Sequence, residues 1–367
     1  MQFPTKRINR YDPGRLRQLR AQLREMRSQQ NETTWPAAQL QLCAEAGVFY
    51  WFLPQSAGGA GWTTTDLLRG YFELAAGCLT TAFVLTQCMG AFQRIAASEN
   101  RALKAELLTD LTTGRRLATL GISQLTTSQR HLGRPVLLAT RVGDNYRLDG
   151  RSPWVTGARH TDLFVLAAAT EEGQQMLCAV NSTEPGVLVK PAPELVGLTG
   201  SETSEVLLEG VLVASDRQIA GPAPDLMSRG GGNAGGLQTS ALAIGLASES
   251  IDFIAEAAEK RPELTDFSTP LRRELDALEA ELLSGAVNQS SPVSNSAPFD
   301  PFQCRARANS LALRATQAAL IAAKGSGYVR GHCAGRWCQE ALFFLVWSCP
   351  PSVVENYRME LIHPQTE

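Results

Sequence analysis

No CxxC pair occurs among the eight cysteines, which are scattered through 367 residues. That absence removes the usual thiol-redox and paired zinc-ligand spacings and leaves reduced thiols in a cytoplasmic protein as the expectation. His332, Cys333 and Cys338 lie close together. A structural metal site needs four suitably spaced ligands, and no second pair accompanies these three, so no metal is expected. An excess of either charge is missing as well. The formal net charge is −2, which gives no electrostatic basis for binding nucleic acid or an anionic membrane. An apolar run such as Ala341 to Trp347 is far too short to span a bilayer. Met1 to Arg7 contain no apolar segment of the signal-peptide kind, so a secretory leader is not expected. No internal repeat is found.

What is present is an ordinary globular composition, 44% hydrophobic and 19% charged, in a chain long enough for two or three packed units. The texture changes twice. Residues 14–30 carry Leu16, Leu19 and Leu23 at helical spacing, with charged faces read as solvated. Further helices are expected from Pro36 to Ala46 and over 64–77. Small and apolar residues from Thr80 to Gln87 indicate a buried helix. From Ala118 short strands are expected at 136–140, 146–148, 163–168, 176–180, 187–190 and 205–208, punctuated by Gly, Asn, Asp and Pro. That spacing suits a small barrel or sandwich. Beyond Pro224 helices return, over 236–260, 270–285 and 304–324, with a loop expected at 288–298. The apolar tail Ala341–Trp347 reads as a buried helix or as the wall of a cofactor site. The fold class is therefore α+β: an N-terminal helical domain (1–117), a central β-barrel or sandwich domain (118–225) and a C-terminal helical bundle (226–367).

Gly230-Gly231-Gly232-Asn233-Ala234-Gly235 fits G-x-G-x-x-G, but a dinucleotide fingerprint needs a strand directly before it in a βαβ unit. Gly221 to Asp225 read as a loop, so a flexible entry to the next helix is the better account. Two segments of the β-rich block are more specific. They are Leu148-Asp149-Gly150-Arg151-Ser152-Pro153-Trp154-Val155-Thr156-Gly157 and Val196-Gly197-Leu198-Thr199-Gly200-Ser201-Glu202-Thr203-Ser204-Glu205. With the three-part order around them, they resemble the acyl-CoA dehydrogenase superfamily of flavoproteins over about residues 36–350. Phe52 to Trp62 resembles that family's proline turn and glycine loop, and the family's last region is a four-helix bundle.

The resemblance implies roles for particular residues. Trp154 and Thr156 would lie beside the isoalloxazine ring, an apolar wall with fixed polar groups; a core Trp on a strand is the plain alternative. Ser123, in Leu120-Gly121-Ile122-Ser123-Gln124-Leu125, falls where the family has the threonine of Thr-Glu-Pro, which meets the flavin pyrimidine edge. The family's next turn is replaced here by Thr126 to His131, where Ser128 is either a hydroxyl donor or part of a polar loop. Gly325 and Gly327 of Gly325-Ser326-Gly327-Tyr328 match a turn that reaches the FAD of a neighbouring subunit, and equally suit a helix end. Arg261 is what remains of an Arg-x-x-Phe-Gly segment, suited to a pyrophosphate or to solvent.

The catalytic glutamate of the family falls on Ser348, and its alternative placement falls near Gln238. Neither is a base, and proton removal needs one. Glu355, Glu249 and Asp252 are substitutes or surface charges; His332 and Arg336 are site groups or structural ones. The resemblance thus implies a flavin-dependent oxidoreductase binding FAD rather than FMN. It would act on an acyl thioester of CoA or a carrier protein, passing a hydride to flavin N5. An electron-transfer or flavin reductase partner and a homodimer or homotetramer are also implied. A two-component flavin monooxygenase and a catalytically silent binding homologue are the alternatives.

Overall fold

The computed structural model of this chain describes residues 7–126, 135–229, 236–290, 299–347, 349 and 351–362. Helices come first: α1 (Pro13–Ser28), α2 (Ala37–Glu45), α3 (Val48–Trp51), α4 (Thr64–Gly77), α5 (Leu79–Ala97) and α6 (Arg101–Thr112). The strands are β1 (Ala118–Gly121), β2 (Leu137–Val142), β3 (Asn145–Val155), β4 (Leu163–Thr170), β5 (Gln175–Asn181), β6 (Val187–Val189), β7 (Ser204–Val213) and β8 (Gln218–Ala223), with one short helical turn, α7 (Ser123–Thr126), after β1. Then come α8 (Leu226–Arg229), α9 (Leu237–Ala258), α10 (Thr265–Ser290), α11 (Pro301–Ala323), α12 (Cys333–Leu342) and α13 (Pro351–Ile362). Local chemistry sets several starts. The side chains of Asp12, Thr63, Asn100 and Asp300 accept from backbone N–H groups in the first turns of α1, α4, α6 and α11.

The strands form one mixed sheet in the order β6-β7-β3-β2-β4-β5-β8, and β1 pairs parallel to β4. All eight residues of β4 are buried. Leu163, Val165 and Ala167 join the core shared with the helices, while Phe164, Leu166 and Ala168 join a second core made with β2, β3, β5 and β7. A strand covered on both faces reads as an unbroken apolar run, as this one does. It is the partition between helical and β layers, and β1, pairing along it, opens at their seam.

Four expectations are corrected. Gly221 to Ala223 are not loop but the end of β8, which pairs antiparallel with β5. Pro222 is tolerated there because β8 is an edge strand. The helix expected over 270–285 spans Thr265–Ser290, taking in the first residues of the expected loop; 291–298 lie outside the described residues, as do 230–235. The tail from Ala341 is not a buried helix: α12 stops at Leu342, a single tight turn covers Phe343–Leu345, and Val346 is 75% exposed.

The fourth correction concerns the charged face of α1. Arg20, Arg24 and Arg27 recur at i, i+4 and i+7 and share one side of the helix. That side meets Glu249 of α9, which is almost wholly buried, at 2.7, 3.1 and 3.2 Å respectively. Arg20 also reaches Asp252 at 2.5 Å, and Arg272 of α10 pairs with the same carboxylate. Leu16, Leu19 and Leu23 are buried beside this cluster. α1 is thereby tied to α9 by apolar packing and a desolvated charge cluster together. Removing the carboxylate leaves buried cations uncompensated. Glu249→Ala is expected to cost about 3–5 kcal/mol, read as a fall in the urea midpoint. Glu256→Ala, which loses only an exposed pair with Arg24, should stay within about 0.5 kcal/mol.

Candidate functional site

A cleft of about 1960 Å³ lies along the seam. Its walls come from α4 and α5, from the ends of β1, β3 and β8, from the first turn of α9 and from the segment after α12. Three residues expected at a flavin meet there. β3 is bulged against β7 between Ser152 and Val155. Ser152 and Val155 stay buried while Trp154 is 51% exposed and lines the cleft. A bulge re-aims a side chain in this way. Two residues on, Thr156 is buried at the wall. Its carbonyl accepts from Thr119 Oγ1 at 2.8 Å, and its Oγ1 accepts from Thr203 Oγ1 at 3.1 Å. Thr203 in turn lies 2.9 Å from Ser201 Oγ. The Val196–Glu205 segment therefore contributes a hydroxyl chain that fixes the end of β3.

Ser123 opens α7, directly after β1, and lines the cleft. Its Oγ is buried and has no hydrogen-bond partner among the described residues. Such an atom costs free energy unless a ligand or water bonds it. Its position depends on Gln124, which sequence reasoning passed over. The buried Gln124 amide donates to the carbonyls of Gly121 at 3.2 Å and Ala167 at 2.6 Å, and accepts from Ser152 Oγ at 3.2 Å. The only available signal was a long polar residue in an otherwise apolar stretch.

The remaining expectations divide. Gln238 lines the cleft at the start of α9, and its amide supplies no base. Ser348 and Ser128 lie outside the described residues. Arg261, Gly325 and Gly327 are not in the cleft. Arg261 follows the far end of α9, whose 22 residues span about 33 Å, and it donates to the Ala322 carbonyl. The Gly325–Gly327 turn follows immediately, so these residues are brought together with one another and away from Trp154.

None of the substitute bases reaches the cleft. Glu249 and Asp252 belong to the arginine cluster, and Glu355 pairs with Arg358 at 2.6 Å in the open. His332 caps α12, Nδ1 accepting from Ala334 N at 3.1 Å, while Arg336 is held by Glu340 at 2.8 Å. Neither lines the cleft. The described carboxylates that line the cleft are Glu99 and Asp216. They lie where Asn100 donates to the Asp216 carbonyl at 2.8 Å. Burial pushes the Tyr71 phenol above its usual range, so this wall hydroxyl keeps its proton. The eight cysteines are free, and burial pushes the Cys88 and Cys178 thiols up to about 12. Among the described residues no cluster of potential ligands suits a metal.

The segment after α12 supplies an aromatic wall. Phe343 and Trp347 stack at 5.2 Å, and Phe83 of α5 meets both edge-on at 4.7 and 5.1 Å. Two polar side chains of α11 hold this wall. Asn309 donates to the Phe344 carbonyl at 3.0 Å, and the fully buried Arg305 donates to the Trp347 carbonyl.

An acyl-CoA dehydrogenase N-terminal domain family model matches residues 17–115. A probable acyl-CoA dehydrogenase of Bacillus subtilis is 24% identical over 84% of each chain. The solved butyryl-CoA dehydrogenase of Megasphaera elsdenii shares the fold with TM-score 0.82 and 17% identity, covering 99% of this chain and 100% of that one. The dibenzothiophene monooxygenase TdsC of Paenibacillus sp. A11-2 shares it with TM-score 0.71 and 16% identity, covering 97% of both. Residues 17–115 thus match the acyl-CoA dehydrogenase N-terminal domain, and the chain as a whole has the fold of the acyl-CoA dehydrogenases.

Gln124→Leu keeps the approximate volume and removes three buried hydrogen bonds. It is expected to lower the unfolding free energy by about 1–3 kcal/mol, measured by urea titration. Ser152→Ala, which removes one of the three, should cost less.

Proposed function

We propose that the protein is a flavin-dependent oxidoreductase acting on an acyl thioester, with its flavin in the cleft beside Trp154. The observation that carries this reading is the meeting of three features on one wall. They are a half-exposed indole, a buried unpartnered hydroxyl at Ser123, and a threonine, Thr156, held by its own hydroxyl chain. A planar heterocycle needs such an apolar face and a few fixed polar groups. Trp154 would cover one face of the ring, Ser123 would bond a polar ring edge, and Thr156 would present its backbone and side chain to the reactive edge. The flavin, when bound, supplies an acceptor for a hydride from the carbon chain of the thioester. Leu68, Phe83 and Phe343 would exclude water around that chain.

FAD is proposed rather than FMN. A homodimer or homotetramer is also proposed, so that Arg261, Gly325 and Gly327 serve a neighbouring subunit's cofactor. Ile321, Tyr328 and Val329, exposed beside that turn, are consistent with such contact. A cytoplasmic setting and an electron-transfer or reductase partner complete the proposal. Among the described residues no helix is long and apolar enough to cross a membrane.

A second reading follows from the missing base. Ser348 and Gln238 occupy the two family positions for the glutamate, and no described carboxylate replaces it in the aromatic part of the cleft. A monooxygenase using reduced flavin and oxygen needs no such group, and the likeness to TdsC in fold is compatible with it.

Purified protein should be yellow and keep its flavin through desalting. Anaerobic bleaching by an acyl thioester supports dehydrogenation. Thioester silence, with substrate-dependent oxygen uptake by the reduced protein, supports the second reading. Loss of the indole removes a stacking face, so Trp154→Ala should weaken flavin retention about tenfold or more, read as the 450 nm to 280 nm absorbance ratio after desalting; unchanged retention would sink the assignment. Ser348→Glu should raise the rate of anaerobic flavin reduction by a thioester, and no change would mean that the pocket itself serves another substrate.

A further inference from the structure

A cation lining the cleft has no use in the reading above. Arg94 lies in the last turn of α5. Gln87, Gly90, Arg94 and Ala97 recur at helical spacing, and all line the cleft. The guanidinium donates from Nη1 to the Gly90 carbonyl at 3.0 Å. Glycine permits this close packing: a Cβ at position 90 would come within 2.5 Å of Leu120 Cδ1 and 3.5 Å of Arg94 Nη1. Leu120 belongs to β1, three residues before Ser123, so the cation lies at the same seam as the candidate flavin residues. Guanidinium carries five N–H donors, and the others meet no acceptor among the described residues.

Among the described residues no ion pair reaches Arg94, and Glu99 and Asp216 of the same cleft make none with it. Partial burial draws its pKa down with no opposing charge to raise it. Among the side chains outside the description the acids are Glu360 and Glu367 alone, both near the C-terminus. The negative end of the α5 dipole compensates about half a charge at most. Arg20, Arg27 and Arg336 each face a carboxylate, and the buried Arg305, which has none, lies outside the cleft against the Trp347 carbonyl, so among the described residues Arg94 is the arginine that lines the cleft. A cation held in a cleft without a counter-ion is costly in the empty protein, and the cost is relieved when a ligand brings the anion.

The geometry points to Arg94 as the anchor for an oxyanion carried by the cleft's ligand, so that the substrate bears a carboxylate or phosphate besides its reacting group. A planar guanidinium meets such a group through two parallel charge-assisted hydrogen bonds. The inference deepens the flavin reading and rests on it for the nature of the cofactor; anion binding itself does not require flavin. The same chemistry has two sources, an acidic group on the substrate or the phosphate of the flavin.

Calorimetric titration of the full chain and of Arg94→Gln and Arg94→Lys tests this without turnover. Paired probes differ only in charge: glutaryl and valeryl thioesters of N-acetylcysteamine, and FMN with riboflavin. Inorganic phosphate serves as a competitor. Arg94→Gln should weaken the glutaryl thioester about 10- to 100-fold and leave the valeryl thioester unchanged, with Arg94→Lys in between. A loss confined to FMN would support the anchor and assign the anion to the cofactor. Arg94→Gln should also leave the urea midpoint unchanged or raised, because an uncompensated cation is removed. The inference is overturned if charged and neutral probes respond alike, if phosphate never competes and no charged probe is preferred, or if the variant is destabilised with binding intact. A wild-type protein that prefers the acidic probes yet holds no flavin would overturn the flavin reading and leave this one standing.

Discussion

The candidate site depends on one buried amide. Gln124 ties together the end of β1, the inner face of β4 and the bulged part of β3 through hydrogen bonds to Gly121, Ala167 and Ser152. β1 approaches its neighbours so closely that a Cβ at Gly121 would lie 2.6 Å from both Leu166 Cδ2 and Ser152 Oγ. Only glycine allows that approach, and the buried Gln124 amide is stabilised there by its three hydrogen bonds. The consequence is local and functional. The chain must leave the strand at Ile122, and it turns Ser123 to the cleft with its hydroxyl unpaired. The β3 bulge does the complementary thing from the other side by turning Trp154 outward.

Charge is distributed on a second principle. The helical layer spends its acidic groups on its own arginines: Glu249 and Asp252 draw in Arg20, Arg24, Arg27 and Arg272, and Glu340 holds Arg336. The first cluster clamps α1 to α9 and α10, and the Arg336–Glu340 pair lies within α12. The cleft shows the reverse arrangement, with a lone guanidinium at Arg94 and an aromatic wall of Phe83, Phe343 and Trp347. A pocket poor in bases and carrying an unpaired cation is better suited to orienting an anionic ligand than to stripping a proton from a neutral one.

The chain has the acyl-CoA dehydrogenase fold, and no described carboxylate enters the aromatic part of its cleft. Trp154, Thr156 and Ser123 converge on one cleft, as the proposed flavin wall requires. The positions at which the resemblance expects the glutamate, Ser348 and Gln238, carry a hydroxyl and an amide. Sites rather than folds carry chemistry, and the two flavin chemistries compatible with this fold differ in whether they need that glutamate.

Much of the architecture was legible in the residues. The helix over 64–77 and the strands at 163–168 and 176–180 follow from apolar periodicity and flanking turn residues, because burial of one face or of both leaves its mark on the order of side chains. The Trp154 segment was legible as well, since its residue types sit at one particular place in the chain. Other features were decided only in three dimensions. Whether Glu249 was a surface charge or a buried hub depended on which helix faced it, and its own neighbours in sequence do not record that. Arg94 is one basic residue near a helix end in the sequence, and only the fold places it in a cleft where no acid among the described residues pairs with it. The sequence alone determined which faces must be hidden from water; the tertiary structure decided which charges meet, because pairing depends on distances between segments far apart in the chain.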